Sequence, residues 1–234
     1  MVQFRANLEP PITMRKLLLI HMLTLGIAPF AGASPMTQTD INQLVQKLQA
    51  LHNSNPSLEA NFREERHLAM LKDPVVNEGK VWFTLPDKIR REIAGKTPST
   101  TVIDGKKMSI YYPSYQQLEV YDLEKRPLIK DSLRALTAGL NFREVANYYD
   151  MVGSKNGTEY QITLTPKTAS VRKLVKTVDL TLDENLTPVR VIVQDTKGQV
   201  FTVTYTNVRR EALPSSTFEF SPPPGTKVST PLGN

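Results

Sequence analysis

The spacing of apolar residues divides the chain into helical and strand-like stretches. Between Asp40 and His52, apolar residues recur at intervals of three and four, which is typical of one face of an amphipathic helix. Thr39 or Asp40 is expected to cap this helix. From Leu58 onward, apolar and polar residues alternate through Phe62, which predicts a strand with one buried face.

The alternation continues in segments separated by turn residues such as Asp104-Gly105, where glycine accepts a positive φ. Further strands are predicted over 78–84, 88–94, 99–103, 107–112, 116–122, 159–165, 173–182, 188–195 and 199–207. Residues 126–150 break the alternation and predict two short helices, with Asn141 capping the second. The proline-rich segment 213–228 is expected to run as an extended edge with few ladder hydrogen bonds.

These elements predict a mainly β fold with some α. A single antiparallel sheet of about ten strands must curl, and its apolar face must be covered. We therefore expect a curved sheet, an incomplete β-barrel, with about three helices over the concave apolar face. Three short helices are too few to cover that face fully, so an apolar cavity is expected between helices and sheet.

The first 33 residues predict a secretory signal peptide. Arg15 and Lys16 precede an apolar run that is short for a membrane span, and small residues lead to a cleavage point after Ala33. A retained membrane anchor is the alternative. Residues 1–13 are interpreted as an upstream extension, and residues 34–234 as a single domain.

Composition narrows the possible functions. The chain has no cysteine, which excludes disulfides, thiol catalysis, thiolate metal sites and the lipid attachment of a bacterial lipoprotein. The formal net charge is +6, but the basic residues are interspersed with acidic ones and form no stripe with aromatic residues. Binding to nucleic acid is therefore not expected.

The sequence shows no recognisable catalytic or metal-binding pattern. His52 and His67 have no acidic or histidine partner at ligand spacing and are interpreted as solvated, as is the Glu64-Glu65 pair. The glycine-containing segment 153–157 is interpreted as a turn. No catalytic residue, metal ligand or cofactor is predicted. A hydrolase or lectin-like protein acting on envelope polymers stays open as an alternative, because paired carboxylates have no fixed spacing in sequence.

The chain resembles the LolA-type periplasmic carriers of outer-membrane lipoproteins from about Asp40 to Val228. In order, the matching pieces are Leu58-x-Ala60-x-Phe62, Gly79-x-Val81-Trp82-Phe83, Asp104-Gly105-Lys106, Tyr111-Tyr112-Pro113, Gln116-Gln117, Leu164-Thr165-Pro166-Lys167 and Phe218-x-Phe220-x-Pro222-Pro223-x-Gly225. Two positions depart from the family pattern. Leu85 stands where the family often has an arginine that ties the lid shut, and Arg91 stands where an apolar cavity residue is usual.

The resemblance implies an incomplete barrel of about eleven strands, with helices as a lid over a cavity for the acyl chains of a lipoprotein. It implies a periplasmic monomer without a cofactor. Its partners would be acylated lipoproteins, an inner-membrane ABC-type release complex and an outer-membrane acceptor. A lipid- or glycolipid-binding or sensing module of the same fold is the alternative.

Alternation within the strands, together with the resemblance, predicts which residues hold the acyl chains. The predicted cavity lining comprises Leu58, Phe62, Phe83, Ile89, Met108 and Ile110. The predicted lid residues are Leu133, Leu136 and Leu140.

Overall fold

One antiparallel sheet accounts for most of the fold. The structure, a computed structural model, describes residues 33–68, 71–127, 130, 133 and 145–231. The strands are β1 Ser34–Pro35, β2 Ser57–His67, β3 Val75–Thr84, β4 Lys88–Ala94, β5 Ser99–Asp104, β6 Lys107–Tyr112, β7 Gln117–Asp122, β8 Tyr149–Asn156, β9 Glu159–Pro166, β10 Val175–Leu182, β11 Pro188–Asp195, β12 Val200–Arg209 and β13 Lys227–Ser229. Their order across the sheet is β1-β8-β9-β10-β11-β12-β2-β3-β4-β5-β6-β7-β13.

The sheet is curved and unclosed, which confirms the predicted fold class. Its edges, β1 and β13, do not pair with each other within the described residues. The thirteen strands exceed the expected eleven, and two of them, β1 and β13, are only two and three residues long.

Helices occupy little of the described chain. They are α1 Gln38–Ser54, α2 Val145–Tyr148 and α3 Ala169–Arg172, with 3₁₀ turns at Pro113–Tyr115 and Ser215–Phe218. The predicted cap of α1 was wrong. Thr37 caps it through a capping box, in which the Thr37 hydroxyl accepts a hydrogen bond from the Asp40 amide and the Asp40 carboxylate accepts one from the Thr37 amide.

Two segments differ from the sequence prediction. Residues 149–156, expected to form a helix end and a turn, make β8, and the turn follows at Gly157. The C-terminal segment is less extended than expected, because it contains the 3₁₀ turn Ser215–Phe218. It ends in β13, which pairs with β7 in parallel.

The cross-strand register places a continuous row of apolar side chains on one face of the sheet, called here the inner face. Leu58 pairs with Phe83, and Phe83 pairs with Ile89. The same row continues through Ile103, Met108 and Tyr121. Because side chains alternate along each strand, residues two positions away from this row share its face.

Helix α1 covers the β8–β12 half of the inner face. Its Leu44 and Leu48 belong to a densely buried cluster, called the helix-covered cluster, whose members are each at most 6% exposed. The other members are Val145, Tyr149, Ile162, Leu164, Val171, Val175, Val178, Leu180, Leu182, Val191 and Val193.

Two smaller clusters occupy the β2–β7 half of the sheet. The central cluster contains Leu58, Ala60, Phe62, Val81 and Phe83. The rim cluster contains Ile103, Met108 and Leu123. The half-buried Ile89 packs against both of these clusters, and Tyr205 packs against both the central and the helix-covered cluster.

Candidate functional site

The structure brings the six predicted cavity residues onto one continuous surface. Leu58, Phe83, Ile89 and Met108 lie in a single cross-strand row of the inner face. Phe62 and Ile110 also lie on the inner face, in two neighbouring cross-strand rows. Both rows lie to the same side of the row that contains Leu58. Binding of acyl chains by these residues stays a prediction.

The predicted lid is described only at its beginning. The backbone is helical at Pro127, Lys130 and Leu133, and the Lys130 amide donates to the carbonyl of Arg126 at 3.0 Å. The half-buried Leu133 packs against the rim cluster. Leu136, Leu140 and the predicted cap Asn141 lie outside the described residues.

Cover of the inner face is uneven within its β2–β7 half. Residues of the central and rim clusters are at most 9% exposed. On β4–β7, the inner-face residues Ile89, Ile93, Ile110 and Tyr121 are only half-buried. Apolar surface therefore stays accessible beside the predicted lid, where a guest could cover it.

A charged cluster interrupts the apolar inner face, and the predicted solvation of Glu64 was wrong. Glu64 lies two residues after Phe62, so alternation turns it inward, and only 8% of its side chain is exposed. Its carboxylate accepts hydrogen bonds from Arg91 at 2.5 Å, Arg66 at 2.7 Å and Asn77 at 3.3 Å. The neighbouring Glu65 faces outward and pairs with Arg63.

Electrostatics keep Glu64 ionised. Burial opposes its negative charge, but the charges of Arg91 and Arg66 and the hydrogen bonds from Arg66 and Asn77 outweigh burial, so the pKa of Glu64 lies below its ordinary value. Burial also raises the pKa of the nearby Tyr205 hydroxyl to about 12, against the effect of Arg91. The cluster therefore holds fixed charges around neutral pH.

Known proteins resemble this chain over most of its length. A model of the family described as outer membrane lipoprotein carrier protein LolA matches residues 53–221. The chain belongs to this LolA family. An outer-membrane lipoprotein carrier protein of Dechloromonas aromatica is 28% identical over 190 residues, covering 79% of this chain and 86% of the relative. An outer-membrane lipoprotein carrier protein of Alkalilimnicola ehrlichii is 24% identical over 215 residues, covering 90% of this chain and 92% of the relative.

Solved structures of the LolA superfamily include one from Nitrosomonas europaea. The two chains are 14% identical and superpose with a TM-score of 0.45. The match covers 76% of this chain and 97% of the Nitrosomonas europaea chain. The family model that matches residues 53–221 confirms, at the level of the family, the resemblance inferred from sequence motifs.

Leu85 stands where the resemblance to the family implies an arginine. Leu85 is half-buried against the central cluster, and its amide donates to the carbonyl of Pro56 at 2.9 Å. The nearby Arg90 faces the opposite side of the sheet. It donates to the carbonyls of Thr217 and Glu219 and so fixes the C-terminal segment there.

Arg91 is the second departure from the family pattern. Its guanidinium carbon lies 4.2 Å from the centre of the Phe62 ring, and the same guanidinium donates to Glu64. The predicted cavity residue Phe62 is therefore covered by a cation. Sequence reasoning marked Arg91 as unusual but missed its partner, although inward alternation of Glu64 was the available signal.

His52 and His67 have different environments. The predicted solvation of His52 was wrong, because His52 lies on the buried side of α1 and is 5% exposed. Burial, followed by the charge of Arg210, lowers the pKa of His52 to about 4. His67 is exposed at the end of β2.

Two other kinds of feature are absent from the described ranges. Among those residues, no group of three or more His, Asp or Glu side chains is arranged to hold a metal ion. No helix in the same part of the chain has the length and apolar character needed to cross a membrane.

Proposed function

We propose that this chain is a periplasmic carrier that binds the acyl chains of lipoproteins released from the inner membrane and delivers them to the outer membrane. The signal peptide is removed after Ala33, and the mature protein acts as a monomer. An ABC-type release complex of the inner membrane supplies the cargo, and an outer-membrane acceptor receives it. Membership of the lipoprotein carrier family supports this proposal.

The observation that carries the proposal is the incomplete cover of one half of the inner face. Residues Ile89, Ile110 and Tyr121 keep accessible apolar surface beside the buried central and rim clusters. Transfer of a methylene from water to an apolar site is favourable by about 0.8 kcal/mol. A fatty chain therefore gains on the order of 10 kcal/mol when such a surface shields it from water.

Incomplete cover also allows the cargo to leave. A core packed to crystal-like density would have no room for guest chains. A face that is partly open beside Leu133 exchanges protein–protein contacts for protein–lipid contacts at small net cost, so the same site can take up and release hydrocarbon.

A lipid- or glycolipid-binding module is the second candidate, and Arg91 favours it. A cation over Phe62 occupies a place where the family usually has an apolar residue. Cargo with a polar or charged headgroup would explain this replacement, whereas plain acyl chains would not.

A capture assay with inner-membrane vesicles tests the carrier proposal. The vesicles contain the release complex and a radiolabelled lipoprotein, and the soluble lipoprotein is measured after ATP is added with purified carrier. We expect Ile110→Asp to reduce capture at least tenfold, because the new carboxylate must be desolvated when hydrocarbon covers it. The control is Val152→Asp, which places the same charge at a residue that is 66% exposed. Equal capture by wild type and Ile110→Asp would contradict the proposed site, and absence of capture by wild type would contradict the proposed function.

A further inference from the structure

The charged cluster of Glu64, Arg66 and Arg91 contains more positive than negative charge. Two guanidiniums share one carboxylate, at 2.7 Å for Arg66 and 2.5 Å for Arg91. In the described part of the chain, no second carboxylate lies within ion-pair distance of either arginine. One positive charge is thus left over within the cluster.

The two arginines also have hydrogen-bond donors to spare. A guanidinium has five N–H groups, of which Arg91 uses one Nη on Glu64 and Arg66 uses its Nε. Their other N–H groups make no hydrogen bond to described residues. The side chains of Arg91 and Arg66 are 25% and 40% exposed, so solvent reaches part of each side chain on the inner face.

Aromatic and polar neighbours hold both guanidiniums in place. Arg91 stacks over Phe62, and Arg66 lies 5.3 Å from the centre of the Phe201 ring. The Glu64 carboxylate accepts hydrogen bonds from both arginines and from Asn77, and so links the two arginine side chains. A planar guanidinium fixed in this way binds a carboxylate or phosphate oxygen pair with little loss of side-chain freedom.

The position of the cluster relates it to the predicted acyl site. Arg91 lies two residues from Ile89 on β4 and pairs with Val81, which belongs to the central cluster. An anion held by the arginines would leave an attached hydrocarbon chain beside the row of Leu58, Phe83 and Ile89. Acyl esters and amides carry no charge, so acyl chains alone would leave the surplus cation unpaired.

We infer that Arg66 and Arg91, oriented by Glu64, form an anion-binding subsite that takes the carboxylate or phosphate of an amphiphile whose hydrocarbon lies on the inner face. The inference rests on the proposed function, because it assumes that this face binds hydrocarbon. It adds a headgroup selectivity that the family assignment does not supply.

Displacement of a lipophilic fluorescent probe from the purified mature protein at pH 8 tests the inference with two matched ligand pairs. Dodecanoate is compared with dodecanol, and lauroyl lysophosphatidate is compared with monolauroylglycerol. At least one anionic member should bind tenfold or more tightly than its neutral partner, and the pair that shows the preference identifies carboxylate or phosphate as the group bound.

Arg91→Gln and Arg66→Gln should each reduce this preference at least threefold without weakening the neutral ligand. The control Arg63→Gln removes a charge from the outer face of β2, the strand that also carries Arg66. This variant should keep the preference for the anionic ligand.

The outcomes separate the inference from the proposed function. Equal affinity of the wild-type protein for charged and neutral members of both pairs would overturn the subsite while leaving an acyl carrier intact. An anionic preference that survives in the Arg66→Gln/Arg91→Gln double variant would also overturn it. Failure of all four ligands and the probe to bind would overturn both proposals. The comparison of charged with neutral ligands uses the wild-type protein, so this test of the subsite remains valid even where a variant does not fold.

Discussion

Replacement of Glu64 by glutamine should destabilise the protein far more than the same change at the neighbouring Glu65. Glu64→Gln keeps the size of the side chain but removes the negative charge with which both Arg91 and Arg66 pair. Glu65→Gln alters an outward side chain that is 32% exposed and pairs with Arg63.

The structure sets the expected magnitude. Removal of one partner from a buried ion pair costs about 3–5 kcal/mol. Arg91 and Arg66 are 25% and 40% exposed, so water recovers part of that loss, and about 2–3 kcal/mol is expected for Glu64→Gln. Glu65→Gln should cost less than about 1 kcal/mol, as is usual for a surface pair.

Urea unfolding at pH 7, followed by circular dichroism, measures both variants. With an m-value of about 2.5 kcal/mol/M, the midpoint of Glu64→Gln should fall by about 1 M. A double-mutant cycle with Arg91→Gln should give a coupling energy above about 1 kcal/mol. Equal losses for Glu64→Gln and Glu65→Gln, or a coupling energy near zero, would refute the assignment of a buried charged cluster.

Three further predictions concern stability. His52 has a folded pKa of about 4 against 6.5 unfolded, so its contribution to stability is fully present above pH 6.5 and is lost as pH falls towards 4. The difference in unfolding free energy between wild type and His52→Gln, measured by urea unfolding, should therefore change by about 3 kcal/mol over this range, and a constant difference would contradict burial of His52 as a neutral group. Gly79→Ala should cost several kcal/mol in thermal unfolding, because a Cβ there would overlap the carbonyl oxygen of Glu92. At Gly153 the tightest contact of a Cβ is the movable Met36 sulfur at 3.0 Å, so Gly153→Ala should cost less, and similar melting temperatures for the two variants would contradict this geometry. Thr37→Ala should lose about 1 kcal/mol through the capping box, measured by urea unfolding, and Thr39→Ala should lose less.

Alternation of apolar residues predicted the sheet well because its period is a local property of the chain. Leu58, Phe62 and Phe83 were placed on one face from sequence, and the cross-strand register confirms that they share it. Strand β8 was missed because its inner-face residues include Gly153, which has no apolar side chain to mark the face. The short edge strands β1 and β13 depend on contacts with distant strands, which local pattern does not encode.

The charged cluster shows a different limit of sequence reasoning. Glu64 and Arg91 are 27 residues apart, and only the register of β2, β3 and β4 brings them together. Both residue types are usually solvated, so burial was not expected for either. His52 was misjudged in the same way, since its position on the buried side of α1 outweighed the usual exposure of a helix end.

Native mass spectrometry of the mature protein purified from its own envelope tests the central claim most directly. If one half of the inner face binds hydrocarbon, the protein should carry a lipid or acylated lipoprotein that is released by organic solvent, and the Ile110→Asp variant should carry little of it. A wild-type protein that has only its own mass, and that takes up no lipophilic probe when one is supplied, would contradict the account.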